Sequence, residues 1–478
     1  MITPFRSAIG RLICTGFILA AMAAVSRAAD ELPALFKERV KSVVAVEFFT
    51  ESELDRRPTV TSALVADASG TLVLPPNVIN GYVQPSKLKD FRVYLPGCPV
   101  SEYSSGEYLG QDPVSGWHFV RVEEKLRAGL VPVTAFAAKP SVSGAPAAEP
   151  ALGEEYWGIG LRGKDEDFAP YFLASRISNV QSLPERTAIA LAEVASPGLP
   201  VFDRAGSFAG VAVGGFGQTF IQYSRNDRGL PVMLLNAEES SVFQLASEVA
   251  GWLKRVPANV TGRPIAWLGA YGLQPMDPEV ATFLKLGDQS GCVVSEVLEA
   301  SPAEAAGLKN RDIILAVDGR ALPRFKPDRV VVTYFDRVLG MHKPGDAVAL
   351  TVLRGTERVE IKATLVEQPK LMREADRTYF EKLGFTAREF VYGDGVVRRV
   401  KLAGQKGVVA QFVKNSSPAG TAGLRPDDWI IEVDGAEVKT YAEAVAKLAA
   451  IEADATRTDF VLLTSRGGET AVLRVKLK

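Results

Sequence analysis

Histidine is nearly absent from this chain: its 478 residues include two, His118 and His342, and no cluster of His, Cys and Asp has ligand spacing, which excludes an evident metal centre. Cysteine is scarce too. Of three, Cys14 lies in a stretch read below as an export signal, without the small residue before it that a lipoprotein signal needs. Cys98 and Cys292 remain, in different predicted domains; they read as small apolar residues, and a disulfide framework is excluded. An excess of charge is missing as well. With 55 basic and 56 acidic residues the net charge is −1, and no Lys/Arg run points to nucleic acid or an anionic membrane. The apolar run Leu12 to Val25 is shorter than the roughly 20 residues that span a bilayer. Preceded by Arg6 and Arg11 and followed by Ser26-Arg27-Ala28, it reads as a signal peptide, residues 1–28, removed on export to the periplasm or another extracytoplasmic space. What remains, in a chain 47% hydrophobic and 23% charged, is folded and too long for one core; three domains fit it.

A repeat is the strongest positive signal. Val297 to Gly319, VLEASPAEAAGLKNRDIILAVDG, returns 116 residues later as VKNSSPAGTAGLRPDDWIIEVDG, with 12 of 23 positions identical. Each copy reads as Ser-Pro opening a short helix, Gly-Leu, an Asp, a β-branched strand and an Asp-Gly turn. One structural unit has been built twice. The pattern resembles the bacterial form of the PDZ domain, with units at 262–366 and 379–478.

Ahead of the repeat, residues 40 to 235 carry short β-branched runs separated by Gly, Pro and Asp: Val43 to Phe49, Thr61 to Ala66, Thr71 to Leu74, Phe91 to Leu95 and Phe119 to Val122. Such spacing predicts an all-β barrel or sandwich. Ala137 to Pro150 reads as a linker between two β halves, and Pro257 to Pro264 as a hinge. From Ala237 to Lys254, Val242, Leu245, Val249, Trp252 and Leu253 recur at helical spacing and predict a closing helix. Gly210 to Gly217 lacks the helix-opening context of a phosphate loop and reads as barrel turns.

A β-barrel unit followed by two PDZ-like units resembles the HtrA (Deg) family of trypsin-like serine proteases. The matching segments are TSALVADASGTLVLPPNVI (Thr61 to Ile79), Leu109 to Pro113 with Phe119 to Val122, GEEYWGIG (Gly153 to Gly160) and PVFDRAGSFAGV (Pro200 to Val211). The fold the resemblance implies is mostly β and multidomain: a trypsin-like double β-barrel over 30–255 followed by two α+β PDZ domains. Carried over position by position, the catalytic histidine falls on Asn77, the aspartate on Gly116 and the nucleophile on Pro197. An amide is no base near neutral pH, and glycine orients nothing. Proline has neither a nucleophile nor the N–H that the nucleophile position gives to the oxyanion hole. Loss of nucleophile or base alone costs on the order of 10⁶ in turnover in such enzymes. The degenerate triad therefore predicts a pseudoprotease.

Substitutes are few. His118 reads as a rim or partly buried histidine, His342 as a surface loop residue, and Ser196 as one residue out of register with no base to activate it. Peptide binding is what the PDZ resemblance leaves, by addition of an extended strand with a terminal carboxylate caught in a backbone turn. The loop positions are Lys382-Leu383-Gly384-Phe385 and, more loosely, Trp267-Leu268-Gly269-Ala270, with Ala444, Val445 and Leu448 as a facing wall. Implied partners are peptides, unfolded segments and protein C-termini, with homo-oligomers or mixed assemblies with relatives; Leu35-Phe36 and Phe48-Phe49 are candidate barrel contacts. No cofactor is expected. The readings are a scaffold, adaptor or chaperone-like holder, an active endopeptidase with a non-standard site, or a structural envelope component whose PDZ grooves are filled by the chain itself.

Overall fold

A computed structural model describes residues 32–138, 150–182, 184–216, 219–223, 231–236, 240–287 and 289–477. The export signal and nearly all of the 137–150 linker lie outside them. The chain forms two compact units, one made of 1–49, 58–78 and 90–260, the other of 50–57, 79–89 and 261–478.

Strands β1 (Val43–Glu51), β2 (Arg56–Val65), β3 (Thr71–Leu74), β4 (Leu88–Tyr94), β5 (Tyr103–Gln111) and β6 (His118–Val122) close a barrel in the order β1-β2-β3-β6-β5-β4. β5 escaped the sequence reading because Ser104, Ser105 and Gly106 look like a turn. A Cβ on Gly106 would sit 2.8 Å from Val120 Cγ1, so the smallness of the strand is what lets it lie on β6. A second barrel joins β7 (Glu155–Leu161), β8 (Pro170–Gln181), β9 (Thr187–Ala190), β10 (Pro200–Phe202), β11 (Phe208–Phe216) and a strand at 240–245, while β12 (Thr219–Tyr223) and β13 (Pro231–Asn236) form a separate hairpin. One apolar core, including Phe119, Trp117, Trp157, Phe202 and Phe243, runs through both barrels. Phe48 belongs to the interior, stacked on Phe91 with centroids 5.0 Å apart. Leu35 and Phe36 are half-buried against the core.

Two expectations are corrected here. Ser240–Leu245 is strand β14, paired with β11 and β9, and the helix is confined to α1 (Ala246–Trp252). Burial alternates along β14, with Ser241, Phe243 and Leu245 inward. The helical count had passed over Phe243, which is fully buried; a period of two prevailed over 3.6. Gly210 to Phe216 is likewise strand, not turn: Gly210 lies so close to Gln244 O that no Cβ could fit.

Glu47 on β1 holds the barrels together. Buried, it accepts from Tyr94 Oη at 2.7 Å and from Lys164 Nζ, between β7 and β8, at 2.6 Å. Burial opposes its charge, but the hydrogen bonds from Lys164 and Tyr94 and the positive charges of Lys164 and Arg92 outweigh it, holding the carboxyl below its ordinary value of 4.5. A depressed carboxylate stabilises the fold above the unfolded-state value, and that contribution vanishes as pH falls through the folded value. Urea melts should therefore weaken below pH 4.5, with Glu47→Gln flattening this acid limb at a cost, above it, on the order of 2 kcal/mol.

In the second unit, β15 (Ala266–Trp267), β16 (Ala270–Tyr271), β17 (Gln274–Pro275), β18 (Cys292–Val293), β19 (Glu296–Val297), α2 (Pro302–Ala305), β20 (Ile313–Val317), β21 (Arg320–Ala321), α3 (Val330–Gly340), β22 (Ala347–Arg354), β23 (Glu357–Thr364) and β24 (Val366–Glu367) surround one core. Then β25 (Arg377–Phe380), β26 (Phe385–Glu389), α4 (Tyr392–Arg398), β27 (Val408–Val413), α5 (Pro418–Thr421), β28 (Trp429–Val433), β29 (Ala436–Glu437), α6 (Tyr441–Ala453), β30 (Asp459–Arg466) and β31 (Glu469–Lys476) surround another. The shared letters of the repeat are structural. Ser301 and Ser417 Oγ cap the helices, accepting from Glu304 N and Gly420 N at 3.1 Å. Asp312 and Asp428 each grip one arginine through two nitrogens, Arg354 at 2.9 and 2.7 Å and Arg466 at 2.6 Å twice. Asp318 and Asp434 take φ of 50° and 52° before their turn glycines, and their Oδ1 atoms accept from Ala349 N and Val461 N at 2.9 Å.

Both described cysteines are free. Cys292 is buried, which pushes its thiol up to about 12 with help from the charge of Asp336. Cys98 is only half-buried, so the apolar reading holds for Cys292 alone.

Candidate functional site

Within the barrel unit, Pro75 and Pro76 end β3, since proline cannot extend a ladder, and the 3₁₀ turn Pro76–Val78 leaves Asn77 exposed. Gly116 approaches the same turn with φ 75°; a Cβ there would lie 3.3 Å from Pro76 Cβ. Gly198, with φ 83°, approaches from the other side, and a Cβ there would lie 2.5 Å from Pro75 Cγ. Pro75 and Pro76 are thus approached by Gly198 and Gly116, far apart in sequence, and Asn77 and Pro197 are their chain neighbours. The amide of Asn77, the bare backbone of Gly116 and the ring of Pro197 are what these segments bring.

Neighbouring polar groups are committed elsewhere. His118 is buried, not at a rim; its Nε2 donates to Pro76 O at 3.1 Å and its Nδ1 lies 2.9 Å from Tyr108 Oη. Asp112 accepts from Ser115 N at 2.9 Å, Ser115 Oγ at 2.6 Å and Arg255 Nε at 3.1 Å. Ser196 Oγ lies 3.5 Å from Tyr171 Oη. The N–H of Ser196 donates to Ile159 O at 3.2 Å and that of Gly198 to Ala212 O at 2.7 Å. Pro197 has none, so positions 196–198 offer no spare backbone N–H to a developing oxyanion. His342 is half-buried rather than a plain surface residue, with Nε2 3.2 Å from Asp318 Oδ2.

The two PDZ loops share a geometry. Gly269 and Gly384 take φ of 84° and 78°, where glycine carries no steric penalty. Each lies against a cap serine, Ser301 or Ser417, so closely that a side chain would collide with it. Leu268 O and Leu383 O accept from Ala303 N at 2.8 Å and Ala419 N at 3.1 Å; Gly269 O and Gly384 O accept from Leu298 N at 3.0 Å and Lys414 N at 2.9 Å. Leu268, Leu383 and Phe385 are buried in their cores and Ala270 is half-buried. These loops are therefore held by backbone hydrogen bonds, with their large apolar side chains turned into the cores. On α6, Ala444 and Leu448 are buried and Val445 half-buried. The sequence reading missed a difference between the units, the pairing of β25, whose one signal was the alternation in Arg377-Thr-Tyr-Phe380.

Fold and repeat together define a two-barrel protein with two PDZ domains. A PDZ-domain family model matches residues 272–365 and a second PDZ model matches 413–460. The chain is 29% identical over 172 residues to a probable periplasmic serine endoprotease, DegP-like, of Chlamydia trachomatis serovar D, covering 36% of this chain and 32% of that one. It is 32% identical over 185 residues to the periplasmic pH-dependent serine endoprotease DegQ of Escherichia coli K12, covering 38% and 36%. The chain thus spans about a third of the length of the curated relatives it matches. Among solved structures, the HtrA-type protease AlgW with a decapeptide superposes with a TM-score of 0.47 at 17% identity, over 70% of this chain and 98% of that one. The chain thus carries two PDZ domains, and over about a third of their length it is similar to DegP-like and DegQ serine endoproteases.

Proposed function

We propose that this chain is an exported pseudoprotease of the family, which holds peptide segments and chain ends instead of cleaving them. One observation carries the reading. The positions onto which the family resemblance carries the triad hold an amide, a hydrogen atom and a pyrrolidine ring, and residues beside them, Pro75, Pro76 and Gly198, approach Gly116 or one another. Acyl transfer needs a nucleophile, a base within hydrogen-bond reach of it and donors aimed at the oxyanion. His118 is bonded on both ring nitrogens, and Ser196 has Tyr171 as its hydroxyl neighbour. Curated relatives named as periplasmic endoproteases supply the setting: a member without the chemistry serves as scaffold, adaptor or chaperone-like holder, alone or in mixed assemblies. The first PDZ unit is the open reader, because β16 and β17 each have one strand neighbour among the described residues, leaving an edge for strand addition.

Purified protein incubated with casein should leave it intact and take no label from a serine-directed fluorophosphonate. Cleavage or labelling that disappears on Ser196→Ala would make the active-enzyme reading correct instead.

A further inference from the structure

The two PDZ units part company at the strand before the glycine loop. In the first, β15 pairs with β24, the closing strand of its own unit, at Ala266↔Glu367 and Trp267↔Val366. In the second, β25 turns inward and pairs with β26 over four rungs, from Arg377↔Arg388 to Phe380↔Phe385. β26 is already joined to β27 on its other side. Both of its edges are therefore taken, and α6 lies against β25 as well as β26.

Each feature of β25 matches what a bound chain end would need. It runs antiparallel to β26 with its carboxyl end at the loop, the only sense in which a terminal carboxylate could reach that turn. Gly384 N donates to Phe380 O at 2.7 Å, so a main-chain carbonyl stands where a carboxylate oxygen would be caught. Phe380 is buried, its ring 5.8 Å from that of Phe385. Two residues upstream on the same face, Thr378 Oγ1 meets Tyr441 Oη, at the start of α6, at 2.7 Å. Tyr379 points the other way, its ring 6.1 Å from Phe412.

We infer that Arg377–Phe380 is a built-in ligand closing the second PDZ groove, and that this groove accepts external C-termini of the form Thr-X-Phe only by displacing it. The inference rests on the reading that these edges hold peptides, and it adds both a specificity and a barrier. An internal strand on a four-residue tether has an effective concentration on the order of millimolar or above, so external binding is weakened by the small fraction of open groove. Loosening β25 raises that fraction.

The test uses the whole chain and a fluorescein-labelled hexapeptide ending Arg-Thr-Tyr-Phe with a free carboxylate. Anisotropy should show Thr378→Ala binding about fivefold more tightly than wild type and Phe380→Ala more tightly still, with circular dichroism reporting whether each variant is folded. Hydrogen exchange on the wild-type chain does not depend on the variants: saturating peptide should speed exchange at 377–380 while 385–389 stays protected. Wild type binding as tightly as both folded variants, folded variants that bind nothing, or 377–380 unmoved by saturating peptide would each overturn the inference. Peptide protecting 270–275 while 377–380 stays shut overturns it and leaves the open first groove standing. A chain that opens at 377–380 yet cleaves the peptide keeps the inference and ends the pseudoprotease reading.

Discussion

Gly384→Val should unfold the second PDZ unit, lowering its stability by about 3 kcal/mol or more in urea. Two costs combine. A β-branched residue at φ 78° leaves its allowed backbone region, at roughly 1–2 kcal/mol. Its Cβ would also fall on Ser417 Cβ, inside any real contact distance, and overpacking adds roughly 1–3 kcal/mol. Ser417 cannot move aside cheaply, because its Oγ caps α5 by accepting from Gly420 N while donating to Lys414 O at 2.6 Å. Gly269→Val, against Ser301, should behave alike in the first unit. A fully stable Gly384→Val protein would show that the loop is free to open, and the docking of Phe380 O on Gly384 N would lose its basis.

Removing the carboxylate of Asp394 should be at least as damaging. This fully buried side chain at the start of α4 accepts from Arg388 Nη1 at 2.8 Å and Nη2 at 2.7 Å, from Arg398 Nη1 at 3.3 Å and from Val391 N at 2.9 Å. Arg388 is itself buried, on β26. Asp394→Ala strands that guanidinium without its counter-charge, a loss of about 3–5 kcal/mol. The paired replacement Arg388→Met with Asp394→Leu should recover most of it, since no unpaired charge is then left inside. Chemical denaturation of the three proteins separates the two effects. If the single and double variants were equally unstable, packing rather than charge would be what Asp394 supplies.

Much of this architecture could be read from letters because it is enforced locally. Ser-Pro-Ala, Ala-Gly-Leu and Val-Asp-Gly recur because caps, left-handed glycines and Asp-led turns are decided within a few residues. Strand order, burial of His118 and the reversal of 240–245 from helix to strand were not readable. They depend on partners far along the chain: Phe243 counts as core only because β9 and β11 flank it. Likewise nothing in the letters pairs Asp112 with Arg255, 143 residues away.

Residue identity by itself settled which chemical groups stand at Asn77, Gly116 and Pro197, since no conformation turns an amide, a hydrogen or a ring carbon into a base or a nucleophile. Folding alone decided that Gly116 and Gly198 approach the Pro75–Pro76 turn, and that Arg377–Phe380 lies on β26 and not on β31. A four-residue strand has several edges of similar local appeal, and long-range packing under α6 selects among them.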